Sequence, residues 1–289
     1  MTKRSPEDIL VGFFDTFDAE VKQESAAGIT SRGVSGLDLT LKSLLSAVLI
    51  EQSQVQKDYN AFDGPLSEFS DKWRMAYCLG LITKSEAREL KLLGSIRNKC
   101  NHEIEADFNS ENISAQCREL ALGEKLHCPK EIPVPRGQGT KYPHGYDDDG
   151  YPLLPVEELK LQDPNKPSNR FIASVNVMMN ILAARSAATR YDDDSLIPHR
   201  NPPKDFEFPE EVRDLVIKAA EKQLHTLSET ARQHSVLSAQ IATLGYKTEP
   251  LKTIDPEHVE KTRVIINALK YGGETIRRSR LHHQKERAE

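Results

Sequence analysis

The hydrophobic positions in the first 125 residues recur at the spacing of amphipathic helices. Pro6, with Ser5 placed as its N-cap, predicts the start of a first helix. One apolar stripe follows at helical spacing, and it is formed by Leu10, Phe13, Phe14, Phe17 and Val21. The glycines between Gly28 and Gly36 predict a break before the next element, because glycine interrupts helical patterns.

A second helix is predicted to begin near Ser35, where a wide apolar face starts. That face is formed by Leu37, Leu41, Leu44, Leu45, Val48 and Leu49. Its width predicts a central position in a bundle of helices. Residues 62–66 then predict a turn, and a third helix is expected between that turn and Gly80. This helix is expected to contain Phe69, Trp73, Ala76 and Tyr77.

A fourth helix is predicted after Thr83 or Ser85, either of which can serve as its N-cap. Glu86 or Glu89 is placed to accept hydrogen bonds from the free N–H groups at its start. Its inner face is expected to contain Leu90, Leu93, Ile96 and Cys100. Four to five helices within about 100 residues, joined by short turns, predict a helical bundle.

Residues 126–169 are rich in proline and glycine and cannot continue a helix. We expect a long connection, which could contain a short strand pair or form an arm over a neighbouring surface. Helical spacing resumes at Arg170. One side of the predicted helix is formed by Phe171, Val175, Met178, Leu182 and Arg185. A second proline-rich stretch follows at 192–209. Pro209 and Pro256 then predict the starts of two further helices. The last of these helices has Val259, Ile265 and Leu269 on its apolar side, before Gly272 and Gly273.

These patterns predict an all-α fold in three parts. Residues 1–125 form a helical bundle, residues 126–169 form a Pro/Gly-rich connecting segment, and residues 170–289 form a C-terminal helical region with a basic tail.

The 289 residues are 38 % hydrophobic and 29 % charged, as in a folded soluble protein. No apolar run approaches the roughly 18 residues that span a bilayer, and the first residues lack a signal-peptide pattern. We therefore expect a cytoplasmic protein without membrane partners.

The cysteines and the clustered aspartates give little support for a metal site. The four cysteines fall at unequal spacings without a C-x-x-C pair, which favours reduced thiols and implies no metal or other cofactor. Tyr146 and Tyr191 are each followed by three aspartates. Such carboxylates could bind Mg²⁺ or Ca²⁺, or they could accept hydrogen bonds from turn backbone. Their spacing fits no calcium-loop pattern.

The net charge of −5 excludes a global field that attracts nucleic acid. The C-terminal tail is locally basic, and Arg277, Arg278 and Arg280 are candidates for contacts with nucleic-acid phosphates. The alternative is a solvated helix end.

The segment from Arg97 to His102, at the end of the fourth helix, contains the strongest candidate chemistry. Asn98 and His102 are four residues apart and share a helix face. Arg97 lies roughly 140° from His102, but its side chain is long enough to curl towards that face.

Cleavage of RNA without a metal needs a base, an acid and a cation that stabilises the charged phosphorane. Histidine can transfer protons near neutral pH, and arginine binds phosphate oxygens. Lys99 adds a further cation for nucleic acid.

A structural role for the same residues is the alternative. Arg97 could pair with Glu103, Glu105 or another helix, while Asn98 and His102 cap the helix end. Because one helix supplies one histidine, cleavage would require two copies that meet across a two-fold axis.

The arrangement Arg97-Asn98-x-x-x-His102, late in a small helical bundle, resembles the signature of the higher-eukaryote-and-prokaryote nucleotide-binding (HEPN) superfamily. Many of its members are metal-independent ribonucleases that act as dimers, and a toxin or defence effector is the role considered for this chain on that resemblance. The resemblance implies that Arg97 and His102 are catalytic, that Asn98 assists them, and that RNA and a second copy of the chain are partners.

A longer stretch is similar to the mannitol operon repressor family. The similar blocks are residues 62–70, 75–82 and 96–102, in order and at approximate spacing, and Ser31-Arg32-Gly33 fits loosely. The chain departs from the family pattern at Cys100 and Asn101, and after residue 125 the resemblance ends. This resemblance implies a transcriptional regulator that works through a regulatory protein partner. The sequence thus supports two functional hypotheses, a dimeric endoribonuclease and a regulator without catalysis.

Overall fold

The computed structural model describes residues 6–23, 25–49, 58–59, 61, 63–103, 106–134, 144–190, 203–243 and 256–289. The model is 70 % helical and the described part contains no strand, so the predicted all-α fold is confirmed. In the described part of the connection after residue 125, an antiparallel bridge joins Tyr146 to Pro152.

Nine helices lie within the described residues. They are α1 (Pro6–Lys22), α2 (Ala26–Ser46), α3 (Phe69–Cys78), α4 (Lys84–His102), α5 (Glu111–Glu119), α6 (Leu122–Lys125), α7 (Pro167–Arg190), α8 (Pro209–Thr243) and α9 (Pro256–Glu286). The first helix begins at Pro6 as predicted, with Phe13 and Phe17 buried. Its expected cap, Ser5, and the side chain of Leu10 lie outside the described residues.

Helix α2 differs from its prediction. It begins at Ala26, with the Ser25 side chain as N-cap, and continues through all the glycines that were expected to break it. The physical reason is close packing. A Cβ on Gly36 would lie 2.3 Å from the ring of Phe13, and a Cβ on Gly33 would lie 3.1 Å from Val175. The glycines therefore let α1 and α7 approach the α2 backbone.

Helices α3 and α4 agree closely with their predictions. The predicted inner face of α4 is buried throughout. In α3, Phe69 and Ala76 are buried, whereas Tyr77 is 44 % exposed. Gly80, two residues beyond the end of α3, has a φ of 66°, a conformation that glycine adopts without strain.

Helix α7 lies at the centre of the protein. It packs on α1, α2, α4, α5, α6 and α8, and its buried residues share one hydrophobic core with those of α1 to α6. The predicted division between residues 1–125 and 170–289 is therefore corrected: α7 completes the N-terminal bundle. By length and composition, α7 is also able to span a membrane, contrary to the expectation that no run approaches that length. Because 78 % of its apolar window is buried inside the protein, it has the environment of a core helix.

Helices α8 and α9 form an antiparallel hairpin. Ion pairs join Lys270 to Glu221 and Arg277 to Asp214 across it. Helix α9 continues through Gly272 and Gly273, which the sequence pattern placed at its end. Ile265, expected on the apolar side, is 53 % exposed, and the neighbouring Ile266 is buried instead.

Candidate functional site

The candidate residues lie in the last two turns of α4, which is fixed firmly at its other end. Thr83 caps α4, and a reciprocal capping box joins the Thr83 and Glu86 side chains to each other's backbone N–H groups. The face that contains Cys100 packs into the core. At about 100° per residue, Asn98 and His102 lie on the opposite side of the helix from Cys100, and Arg97 lies about 60° from it. Arg97 therefore borders the core while the other two face outwards.

The exposure of the three side chains follows this geometry. Asn98 and His102 are exposed, and Arg97 is half-buried. The Nε atom of Arg97 is fully buried and has no hydrogen-bond partner. An unsatisfied buried donor costs on the order of 1–3 kcal/mol, so the arrangement is not explained by folding stability alone. Within one copy, Asn98 and His102 share a face, and Arg97 lies on the flank.

The structural alternative finds little support in the described contacts. Among the described residues, no ion pair or hydrogen bond joins Arg97 or His102 to another side chain, and Glu103 pairs with neither. Glu105, the other suggested partner of Arg97, lies outside the described residues. Lys99 is half-buried beside the trio and accepts the Glu103 N–H through its backbone carbonyl.

Helix α2 supports this end of α4 from one side. The Ser31 hydroxyl donates a 3.0 Å hydrogen bond to the Asn101 side-chain oxygen. Burial raises the pKa of the adjacent Cys100 thiol, which the Thr30 side chain contacts. All four cysteines are free thiols, as the sequence predicted. Cys100 is structural in this setting, because a buried thiol with a raised pKa is a poor nucleophile.

The basic tail does not lie at this site. Arg277, Arg278 and Arg280 are on α9, which packs mainly on α8. Arg278 pairs with Asp147, Asp149 and Glu274 and stacks on Tyr151. Arg277 pairs with Asp214 and Glu274, and Arg280 pairs with Glu210. These guanidinium groups are therefore already paired with carboxylates of the same chain, and their contact with nucleic-acid phosphates stays a prediction.

The first of the two aspartate clusters acts as a turn. Asp147 accepts backbone N–H groups of Asp149 and Tyr151 as well as the Arg278 side chain. Desolvation opposes ionisation of Asp147, but the hydrogen bonds from Arg278 and Tyr151 outweigh it and lower the pKa. The second cluster, residues 192–194, lies outside the described residues.

Two polar groups were missed by the sequence reasoning. Glu86 forms a buried pair with Arg185 of α7, in which Nη2 lies 2.6 Å from Oε1. The histidines and the carboxylate of α9, His282, His283 and Glu286, form a second group. The spacing His-His-x-x-Glu on a predicted helix was the available signal for the second. No local signal existed for the first, because its partners are 99 residues apart.

Comparison with protein-family models, curated proteins and solved structures found no match to this chain.

Proposed function

We propose that this chain is a HEPN-type, metal-independent endoribonuclease that acts as a homodimer with a composite Arg97/His102 site. The observation that carries the proposal is the state of Arg97. Its Nε is desolvated and unpaired, beside an exposed His102 and Asn98. No carboxylate among the described residues pairs with Arg97, so its guanidinium is available to phosphate oxygens, to which arginine donates charge-assisted hydrogen bonds.

The proposed reaction needs only proton transfer and charge stabilisation. His102 accepts the proton of the ribose 2′-hydroxyl, and the 2′-oxygen forms a bond to phosphorus. The bond from phosphorus to the 5′-oxygen then breaks, and that oxygen takes a proton from His102 of the partner subunit. Arg97 stabilises the negative charge on the phosphorane, and Asn98 orients the phosphate. The products are a 2′,3′-cyclic phosphate and a 5′-hydroxyl.

The geometry of α4 supports the proposal of a dimer. One copy has one histidine, and its Arg97 is about 140° around the helix from His102. A two-fold axis near the end of α4 would supply the second proton-transfer group and a second arginine.

The proposal is tested by incubating the purified chain with single-stranded RNA in EDTA and analysing the product ends. We expect cleavage that leaves cyclic phosphates, and no cleavage of the same sequence made as DNA, which lacks the 2′-hydroxyl. Cleavage of both polymers, or cleavage only when a divalent ion is added, would contradict the mechanism.

A regulator that works through protein contacts is the second candidate function. The observation that favours it is a set of exposed apolar side chains on the distal half of the α8–α9 hairpin. Val236, Leu237, Val264 and Ile265 are between 48 % and 58 % exposed, and exposed apolar groups of this kind mark protein interaction surfaces. This hypothesis predicts no RNA cleavage and no change in function in a His102→Ala variant that folds normally.

A further inference from the structure

The last turns of α9 bring two histidines and a carboxylate together. His282 Nε2 lies 3.2 Å from Glu286 Oε1, and His283 Nδ1 lies 2.9 Å from Glu286 Oε2. All three ligand atoms lie within 4.8 Å of one another. The donors around a tetrahedral Zn²⁺ are separated by roughly 3.3 Å, given bond lengths of about 2.0–2.1 Å. Two of the three observed spacings are therefore close to this value, and the third, between the two histidine nitrogens, is at most 4.8 Å.

The hydrogen bonding of His283 points to a cation at this position. His283 is buried, with 8 % of the residue exposed, and its Nε2 lies 2.8 Å from the Leu154 carbonyl oxygen. A carbonyl only accepts, so Nε2 must be the N–H donor. In the neutral ring, Nδ1 then presents a lone pair to the Glu286 carboxylate, and two acceptors repel unless they share a positive charge, which either a proton on Nδ1 or a bound metal ion supplies. A backbone carbonyl on the far nitrogen is also the arrangement that orients metal-binding histidines.

A third histidine approaches from a different part of the chain. The His144 ring lies edge-to-face with the His283 ring, with 6.1 Å between the centroids. The corresponding distance between His282 and His283 is 5.5 Å. Two imidazoles that bind one tetrahedral ion have centroids roughly 5 Å apart, so a small movement of the exposed His144 side chain is sufficient for it to become a ligand.

We propose that His282, His283, Glu286 and His144 bind one Zn²⁺ ion. Imidazole and carboxylate ligands suit zinc, whereas Mg²⁺ prefers oxygen ligands alone. With four protein ligands the site is closed, as in structural zinc sites. Its role is to fix the segment 144–154 to the end of α9, the same two parts that the Arg278 ion pairs join. The site is separate from the proposed cleavage chemistry.

The test is titration of the EDTA-treated, dialysed full-length chain with Zn²⁺ in competition with a chromophoric chelator. We expect binding of one ion per chain and a higher melting temperature with Zn²⁺, because a ligand that binds only the folded state stabilises it. His282→Ala and Glu286→Gln each remove one ligand and should weaken binding at least about tenfold. Both side chains are polar groups at a helix surface, so both variants are expected to fold.

His225→Ala is the matched control, since His225 is an exposed histidine on α8, and its Zn²⁺ affinity should equal that of the wild type. Absence of one-to-one binding, equal affinity in the site variants, or equal binding of Mg²⁺ would each overturn the proposal. His144→Ala tests the fourth ligand and should weaken Zn²⁺ binding as well. Cleavage of RNA by His282→Ala is expected at the wild-type rate, so failure of the zinc site and failure of the proposed function are distinguishable.

Discussion

The Arg185 side chain is the strongest single polar link between α4 and α7. Its Nε and Nη2 donate to both Glu86 oxygens, and its Nη2 also donates to the Lys204 carbonyl. Burial raises the pKa of the Glu86 carboxyl, while the charge and hydrogen bonds of Arg185 act to lower it. The pair lies in the protein interior, with 7 % and 2 % of the two side chains exposed, so each partner depends on the other.

Removal of Arg185 should therefore be severe. We expect Arg185→Ala to lower the free energy of unfolding by about 3–5 kcal/mol, because it leaves the Glu86 charge buried without a partner. Urea denaturation followed by circular dichroism measures the change. Arg88→Ala, which removes an exposed pair with Glu119, is the control and should change stability by less than about 1 kcal/mol. Equal effects of the two substitutions would contradict this account.

Glu89 is a buried carboxylate that relies on hydrogen bonds alone. It accepts from the backbone N–H groups of Ala121 and Leu122 at the start of α6 and from the Ser174 hydroxyl. Burial raises its pKa above the ordinary 4.5, and the hydrogen bonds only partly oppose this. The folded chain therefore holds the Glu89 proton more tightly than the unfolded chain does.

This shift predicts a pH dependence with a definite sign. The tighter proton binding stabilises the folded chain fully at pH values below the pKa that Glu89 has in the unfolded chain. This stabilisation is lost as pH rises through the pKa that Glu89 has in the folded chain. The free energy of unfolding of the wild type relative to Glu89→Gln should fall as pH rises from about 4.5. Parallel urea denaturation of both proteins across this range measures it. A relative stability that rises with pH would show that the sign is wrong.

Part of this polar network could be predicted at the residue scale. The capping box of Thr83 and Glu86 was found because its two members are three residues apart and obey a local rule. The pairing of Glu86 with Arg185, and the ion pairs of Arg277, Arg278 and Arg280, were not found. They depend on which helices pack together, and the sequence pattern of a single helix does not contain that information.

At the scale of elements, the glycines of α2 explain the main error in the predicted helices. Glycine has a low intrinsic helix propensity, which costs about 1 kcal/mol per residue relative to alanine in a helix. In α2, contacts with other helices outweigh this cost. Helices with a long apolar stripe and a clear cap, such as α4, were predicted almost to the residue. Helix α2 was predicted to begin too late because of its glycines, and helix α9 likewise continues through Gly272 and Gly273, which were placed at its end.

A pair of glycine substitutions tests this interpretation. At Gly36 an added Cβ would overlap the buried Phe13 ring, whereas at Gly12 nothing lies within 4 Å. We expect Gly36→Ala to destabilise the protein by about 1–3 kcal/mol through overpacking. Gly12→Ala, at an exposed position of α1, should instead stabilise the protein by up to about 1 kcal/mol through helix propensity. Thermal and urea denaturation of both variants measure the difference. If Gly36→Ala is neutral, close packing is not the reason for that glycine.

At the scale of the whole molecule, the described part of the bundle presents the end of α4 at its surface. The core from α1 to α7 fixes the position of this end, and α2 supports it through Ser31 and Asn101. The residues of the candidate site could be selected from the sequence because a short motif lies late in a recognisable bundle. Their convergence could not be predicted, since the proposed site requires a second copy of the chain.

The central claim is that Arg97 and His102 cleave RNA, and the most direct test is the initial rate of cleavage in EDTA. His102→Ala should reduce the rate by about 10²–10⁴-fold through loss of proton transfer. Arg97→Ala should reduce it by about 10²–10³-fold through loss of charge stabilisation. Arg88→Ala, on the same helix, and His225→Ala should cleave at the wild-type rate, with circular dichroism confirming that all four variants fold. Unchanged cleavage by both His102→Ala and Arg97→Ala would contradict the account.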